Sequence, residues 1–400
     1  MTDILRLAAV FVLIVLLLRR KAGVGRVLLA ASAFLAVLYL MPPAAALKAA
    51  AGALTSPITL KLLLALSLIR VFELVLRERN VMTRMMEAAR ALLGSRRAVI
   101  VSMPLLIGML PSVGGAYFSA PMVDEATRGL HMSREEKGFI NYWYRHPWEY
   151  VLPLYPGILL ASAISGLRLG DLILANLPAA SVMAAAGFLF SMRQAGGSGD
   201  RPSGQKVGAG GLASFIPIAS VLALVVVARV ELHIALLAAT AGLLVFYRYG
   251  GRDALRALRH GFSLDVIVLI AGVMLFKGFM EASGAVENLS AYLTARGIPL
   301  LPMLFLLPFV TGALTGLTIG FVGSTFPLLM SLAGGDSPGA VSFAFASGFM
   351  GVLLSPVHVC LVLTREYFAA DMGAMYRKML APAALVLASA AAAYLLAGAL

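Results

Sequence analysis

Long apolar runs separated by short basic loops recur along this entire chain, and no other feature limits its fold as tightly. A helix needs roughly 20 apolar residues to cross a hydrocarbon core, and the runs approach or reach that length. Of the 400 residues, 60% are hydrophobic and 13% are charged, whereas soluble domains are about one-quarter charged. The mean hydropathy is +0.92. The chain is therefore read as an all-α polytopic membrane protein.

The formal net charge of +13 does not point to nucleic acid. The arginines cluster in short loops between apolar runs, as the positive-inside bias requires. Cys360 is the only cysteine and sits within an apolar segment, so neither a disulfide framework nor a cysteine metal cluster is expected. Positive charges follow the first run, at Arg19-Arg20-Lys21. The first segment is thus read as a span rather than a cleaved leader, with its amino end outside.

Charge and breakers order the rest. Spans are expected over Ile4–Leu18 and Arg26–Met41, the latter stopped by Pro42-Pro43 and followed by a loop to Pro57. A third, Ile58–Leu76, leads into a basic interfacial helix carrying Arg77, Arg79, Arg84, Arg90, Arg96 and Arg97. Ala98–Val123 is broken by Pro104, Pro111 and Gly114-Gly115 and is read as a re-entrant hairpin. Non-helical backbone at that depth is tolerated only inside protein or beside a water-filled cavity.

Gly138–Gly166 carries Pro147, Pro153 and Pro156, which remove backbone donors, so one discontinuous helix is expected. A span over Leu169–Met192 follows, and residues 194–211 form a Gly- and Ser-rich cytoplasmic linker. Spans Leu212–Ala228 and Ile234–Tyr247 come next, then a cytoplasmic loop with Arg248, Arg252, Arg256 and Arg259, then a span over Leu264–Met280. Pro299–Leu332 is a second broken hairpin. Gly339–Phe368 is a second discontinuous helix, breaking around Gly351 and Ser355-Pro356, and Ala381–Leu396 is the last span. Both termini are expected outside.

The order of elements occurs twice. Pro104 and Gly108 recur as Pro308 and Gly312 at a common offset, which Phe72 and Phe276 share. Charge bias gives the copies opposite orientations: residues 1–193 and 212–400 form an inverted repeat of 5+5 transmembrane helices. Inverted repeats with broken helices at their interface mark secondary transporters that bind substrate and ions near the midplane.

The candidate site follows from that layout. Half-helix starts carry partial positive charge that suits anions, and unwound carbonyls suit Na⁺. The first tip offers Pro111, Ser112, Val113, Gly114 and Gly115; the second offers Thr315, Gly316, Thr318, Gly320, Gly323, Ser324 and Thr325. The discontinuous helices add Asn141, Arg145, His146 and Glu149, then Ser355 and His358. Ionisable groups within a span default to a functional reading. Arg145 would neutralise an anion, and Glu149 or a histidine would carry a coupled proton. Against this, Arg145 could snorkel or pair with Glu149 one helical turn on, Trp143 and Trp148 could be interfacial anchors, and Gly and Ser/Thr could serve helix packing alone. Arg70 with Glu73, and Lys277 with Glu281, read as local pairs.

Enzyme motifs fail on context. Gly208-Ala-Gly-Gly-Leu-Ala213 follows no strand, and the sequence holds no Walker loop, metalloprotease His pair or nucleophile elbow. No enzyme activity, organic cofactor or structural metal is expected; the coupling ion is Na⁺ or H⁺.

Phe276-Lys-Gly-Phe-Met-Glu-Ala-Ser-Gly-Ala-Val-Glu-Asn-Leu289 resembles the segment before the second hairpin in the ion transporter superfamily, which includes gluconate permeases and citrate, dicarboxylate and arsenite transporters. Thr311–Pro327 looks like their second hairpin. More closely still, the chain resembles a prokaryotic membrane family of unknown function. The resemblance implies a homodimer working by an elevator mechanism, with scaffold residues 1–57 and 212–261 and transport residues 58–193 and 262–400. In dicarboxylate members, Ser-Asn-Thr tips bind Na⁺ and substrate carboxylate. The nearest matches here, Pro111-Ser112-Val113 and Gly323-Ser324-Thr325, lack the asparagine. The expected function is ion-coupled transport of a small, anionic organic solute across the cytoplasmic membrane; the alternative is an inorganic ion transporter or cation/proton exchanger.

Overall fold

Helices account for all the regular structure among the described residues of the computed structural model. It describes residues 2–20, 22–93, 95–111, 115–191, 209–285, 288–289, 291–292, 296–297, 299–333 and 337–397. In chain order the helices are α1 (Thr2–Arg19), α2 (Val24–Leu38), α3 (Pro43–Thr55), α4 (Pro57–Glu78), α5 (Val81–Leu92), α6 (Arg96–Ile107) and α7 (Gly115–Ala126). There follow α8 (Arg134–Trp143), a 3-10 turn (Pro147–Tyr150), α9 (Pro156–Ser165), α10 (Leu169–Ser191), α11 (Ala209–Ala213), α12 (Ile216–Val226), α13 (Leu232–Phe246) and α14 (Gly251–Gly261). The last are α15 (Leu264–Ala282), α16 (Leu300–Thr315), α17 (Thr318–Leu332), α18 (Pro338–Leu353), α19 (Val359–Phe368) and α20 (Met372–Ala397).

Three stretches are long and apolar enough to cross a membrane: Leu169–Ser191, Gly251–Ala282 and Met372–Leu396. Of the other expected spans, Arg26–Met41, Leu212–Ala228 and Ile234–Tyr247 correspond to the shorter apolar helices α2, α12 and α13. At about 1.5 Å rise per residue, the 15 residues of α13 reach about 22 Å, short of a roughly 30 Å hydrocarbon core.

Two expected loops are helices instead. Pro42-Pro43 ends one run but also starts α3, where proline stands in the first turn and its missing N–H costs nothing. None of the α3 residues is buried. The arginine-rich stretch after α13 is the helix α14, whose buried Ala257 and Gly261 lie one turn apart.

The chain divides into two compact units, each assembled from separate segments. The first comprises Met1–Val71, Leu159–Leu172 and Gly250–Ser355. Within it α2 and α15 pack closely at two glycines. A Cβ on Gly25 would strike the Val268 carbonyl, and one on Gly272 would strike that of Gly25. Helices α16 and α17 form a hairpin joined by Gly316-Leu317. Gly316 caps α16 in the left-handed conformation, φ 64°, which glycine adopts without a Cβ penalty. Small residues also bring α16 against α18. A Cβ on Gly312 would meet the Gly348 carbonyl, and one on Gly351 the Phe309 carbonyl. Lys277 donates to the Ile164 carbonyl at 3.0 Å, and Arg70 to Ser263 Oγ at 2.5 Å.

The second unit comprises Phe72–Ile158, Ile173–Tyr249 and Pro356–Leu400. Helices α6 and α7 flank the first tip, and α8, α19 and α20 pack together. Ser133 opens α8 with a capping box completed by Glu136. Trp143 is fully buried and donates to the Met183 carbonyl at 2.8 Å. Trp148 donates to the Leu105 carbonyl at 2.7 Å. Full burial rules out an interfacial role for Trp143, and the indole N–H of the half-buried Trp148 is matched to a protein carbonyl. Glu73 pairs with Arg77 at 2.6 Å, one helical turn on.

Candidate functional site

The stretch from Tyr144 to Tyr155 is the break between α8 and α9. Its backbone closes short turns: Glu149 N–H donates to the His146 carbonyl at 3.1 Å, and Leu152 N–H to the Trp148 carbonyl at 2.8 Å. Proline at 147, 153 and 156 forbids a continuous ladder here. The stretch between α18 and α19 is a second break, Leu354–His358, around Pro356. The expected second weak point, Gly351, is instead inside α18 and serves close packing.

The two breaks contribute adjoining side chains. His146 Nε2 lies 3.2 Å from His358 Nε2, with ring centroids 5.3 Å apart. The Nδ1 of His146 lies 2.6 Å from the Tyr142 carbonyl, so that nitrogen carries the proton and Nε2 presents a lone pair. Glu149 Oε1 stands 3.9 Å from the same Nε2. Arg145 is 4% exposed, which excludes snorkelling to an interface. Its side chain lies beside Cys360.

One layer away, Asn141 ties three helices together. Its amide donates to the Ala116 carbonyl and to Thr364 Oγ1, each at 3.0 Å. Its Oδ1 accepts from Ser119 Oγ at 2.6 Å. All three polar side chains are fully buried. The carboxyl end of α6 is anchored to the break as well. Tyr155 donates to the Gly108 carbonyl, and a Cβ on Gly108 would strike the Arg145 carbonyl.

The remaining expected residues fall as follows. Pro111 is half-buried and Gly115 is buried at the start of α7; Ser112, Val113 and Gly114 lie outside the described residues. In the second hairpin, Thr315, Ser324 and Thr325 are buried. Each donates back to a carbonyl four residues earlier: Thr315 to Thr311 at 2.8 Å, Ser324 to Gly320 at 2.7 Å, Thr325 to Phe321 at 2.7 Å. Their protons are engaged, and their oxygens keep acceptor capacity. Gly320 and Gly323 are buried in α17, Gly316 is buried at the tip, and Thr318 is half-buried at the α17 start. Ser355 is fully buried in the second break.

Sequence reasoning did not single out Cys360, Thr364 or Ser119. Cys360 and Thr364 are one turn apart on α19, hence on one face, and both are buried. That spacing from His358 was the available signal. The linker 194–211 lies outside the described residues apart from 209–211.

Outside the membrane-spanning segments, Glu135 at the start of α8 accepts from the Asp371 N–H at 3.1 Å. That bond holds its carboxyl below the ordinary value of 4.5.

A family model described as "Protein of unknown function (DUF401)" matches residues 4–397, and the chain belongs to that family. No curated protein matches it.

Proposed function

We propose that this DUF401 protein is an ion-coupled secondary transporter of a small, anionic organic solute. The observation that carries the reading is the meeting of His146 and His358 at 3.2 Å, each from a different helix break, beside the buried Arg145. Breaks that converge on buried ionisable groups are the arrangement transporters use for substrate and coupling ions.

Arg145 supplies fixed positive charge, and α19 starts at His358 with its dipole-positive end at the site. Together they suit an anion. Glu149 and the histidines carry the coupled proton, or the carbonyls of the break hold Na⁺. The chain is embedded as a multi-pass protein of the cytoplasmic membrane, with both termini outside. It is an inverted repeat of 5+5 spans with two re-entrant hairpins, works as a homodimer and moves by an elevator mechanism akin to the ion transporter superfamily.

The close packing of equivalent glycines supports the repeat. Gly108 and Gly312 occupy matching places, and in each case a Cβ would strike a carbonyl of the segment that follows the hairpin, at Arg145 and Gly348. Pro104 and Pro308 sit inside the preceding helices at equivalent positions.

Thermal-shift screening of the purified protein across a panel of organic anions, with and without Na⁺ and at two pH values, tests the binding step. A stabilising anion class whose effect depends on Na⁺ or pH is expected; stabilisation by none of the panel would contradict it. A second reading, inorganic cation/proton exchange, draws on the 3.9 Å approach of Glu149 to His146.

A further inference from the structure

We propose that His146, His358 and Cys360, with Glu149 beside them, form a binding site for one transition-metal cation of the zinc class. The inference does not rest on the transport reading; it concerns what the side chains of the helix breaks can coordinate.

The ligand atoms of His146, His358 and Cys360 all lie within 4.8 Å of one another. Two imidazole nitrogens at about 2.0–2.1 Å from a tetrahedral zinc stand about 3.3 Å apart. The observed Nε2–Nε2 separation is 3.2 Å. The histidines thus already sit at the bite distance a tetrahedral cation needs.

The tautomer is set for coordination too. A metal-binding histidine donates its other ring N–H to a carbonyl or carboxylate, which fixes the ring and raises its basicity. His146 Nδ1 does this toward the Tyr142 carbonyl at 2.6 Å, so Nε2, which now faces His358 Nε2 at 3.2 Å, is the nitrogen that would coordinate. Glu149 Oε1, 3.9 Å from that Nε2, is placed to supply a fourth ligand after a small side-chain rotation.

The donor set selects the metal. Two imidazoles with one thiolate suit zinc and copper rather than Mg²⁺ or Ca²⁺, which prefer oxygen. Arg145 lies beside Cys360. On binding, the Cys360 proton leaves to solvent and the metal takes the sulfur lone pair.

The test uses the full chain in detergent, stripped with a chelator, then titrated with Co²⁺ by optical absorption and with Zn²⁺ by calorimetry. Cys360 is the sole cysteine, so a thiolate-to-cobalt charge-transfer band can arise only there. The expected result is that band with tetrahedral d–d absorption, and one equivalent of Zn²⁺ displacing the cobalt. Cys360→Ser should abolish the band, and His358→Ala should weaken Zn²⁺ binding by more than the about 10- to 100-fold that outer-shell changes cost. Absence of the charge-transfer band in the unaltered protein would overturn the proposal whatever the variants do. So would Zn²⁺ affinity unchanged in both variants, which would mean that other histidines hold the metal.

Discussion

His146 and His358 face each other through their Nε2 atoms at 3.2 Å, although 212 positions separate them in the chain. His146 follows α8 at the first break, and His358 is the residue from which α19 begins. The two helix interruptions therefore serve one place.

Glu149 is the carboxylate of that place, 3.9 Å from His146. If it carries the coupled proton, Glu149→Gln keeps shape and hydrogen bonding but removes the titration. The variant should fold with unchanged melting behaviour and lose gradient-driven flux at least about tenfold, the effect of removing about 1.4 kcal/mol or more from the coupled step. Flux close to that of the unaltered protein would assign Glu149 a purely structural role.

Asn141 holds α7, α8 and α19 through three side-chain hydrogen bonds. Asn141→Leu takes a partner from the Ala116 carbonyl, from Ser119 Oγ and from Thr364 Oγ1, all of them buried. A buried group left unsatisfied costs roughly 1–3 kcal/mol, so the variant should melt well below the parent in detergent. Thr364→Val, which leaves Asn141 its other partners, should cost less. Thermal unfolding followed by tryptophan fluorescence reads both.

Glycines separate into two classes whose substitution should have opposite signs. A Cβ at Gly312 would press on the Gly348 carbonyl, and overpacking of this kind costs about 1–3 kcal/mol. Gly52, inside the exposed α3, has open space around it. Gly52→Ala should leave stability unchanged or raise it by about 0.5–1 kcal/mol through helix propensity. Melting temperatures of the two variants check this directly.

Glu135 sets an acid-side dependence. Its carboxyl is held below the ordinary 4.5, mainly by the Asp371 N–H. A lowered folded value means the stabilisation is fully present above the unfolded value and fades as pH falls through the folded one. The melting temperature of the parent should therefore drop further between neutral pH and the region below 4.5 than that of Glu135→Gln, which lacks the titrating group. Identical acid-side slopes would count against this bond.

Much of the architecture was legible because membrane-like segments announce themselves through long apolar runs and interrupting prolines. The break at Pro147, Pro153 and Pro156 and that at Ser355-Pro356 stand where proline chemistry requires. The misreadings have specific causes. Pro42-Pro43 ends an apolar run, yet proline opens a helix as readily as it ends one, hence α3. The arginines after α13 suggest a loop by their charge, but Ala254, Ala257, Leu258 and Gly261 line one side of a helix at i, i+3, i+4 and i+7.

Side-chain fate was less legible than backbone course. Trp143 and Trp148 have the composition of interfacial anchors, and only tertiary packing reveals the Met183 and Leu105 carbonyls that bind them. The hydroxyls of Thr315, Ser324 and Thr325 satisfy their own helices, a use that a cluster of Ser, Thr and Gly does not distinguish from ligand binding. Cys360 passed as an apolar residue because its partners lie in a distant stretch or share its helix only by spacing. The tip residues Ser112, Val113 and Gly114 lie outside the described residues.

Uptake by the purified protein in proteoliposomes, driven in turn by imposed Na⁺ and proton gradients across a panel of labelled organic anions, tests the transport reading most directly. Accumulation of one anion class that follows one of the two gradients and is lost in Glu149→Gln is expected. No gradient-dependent flux of any anion, from protein that is folded and correctly inserted, would contradict it.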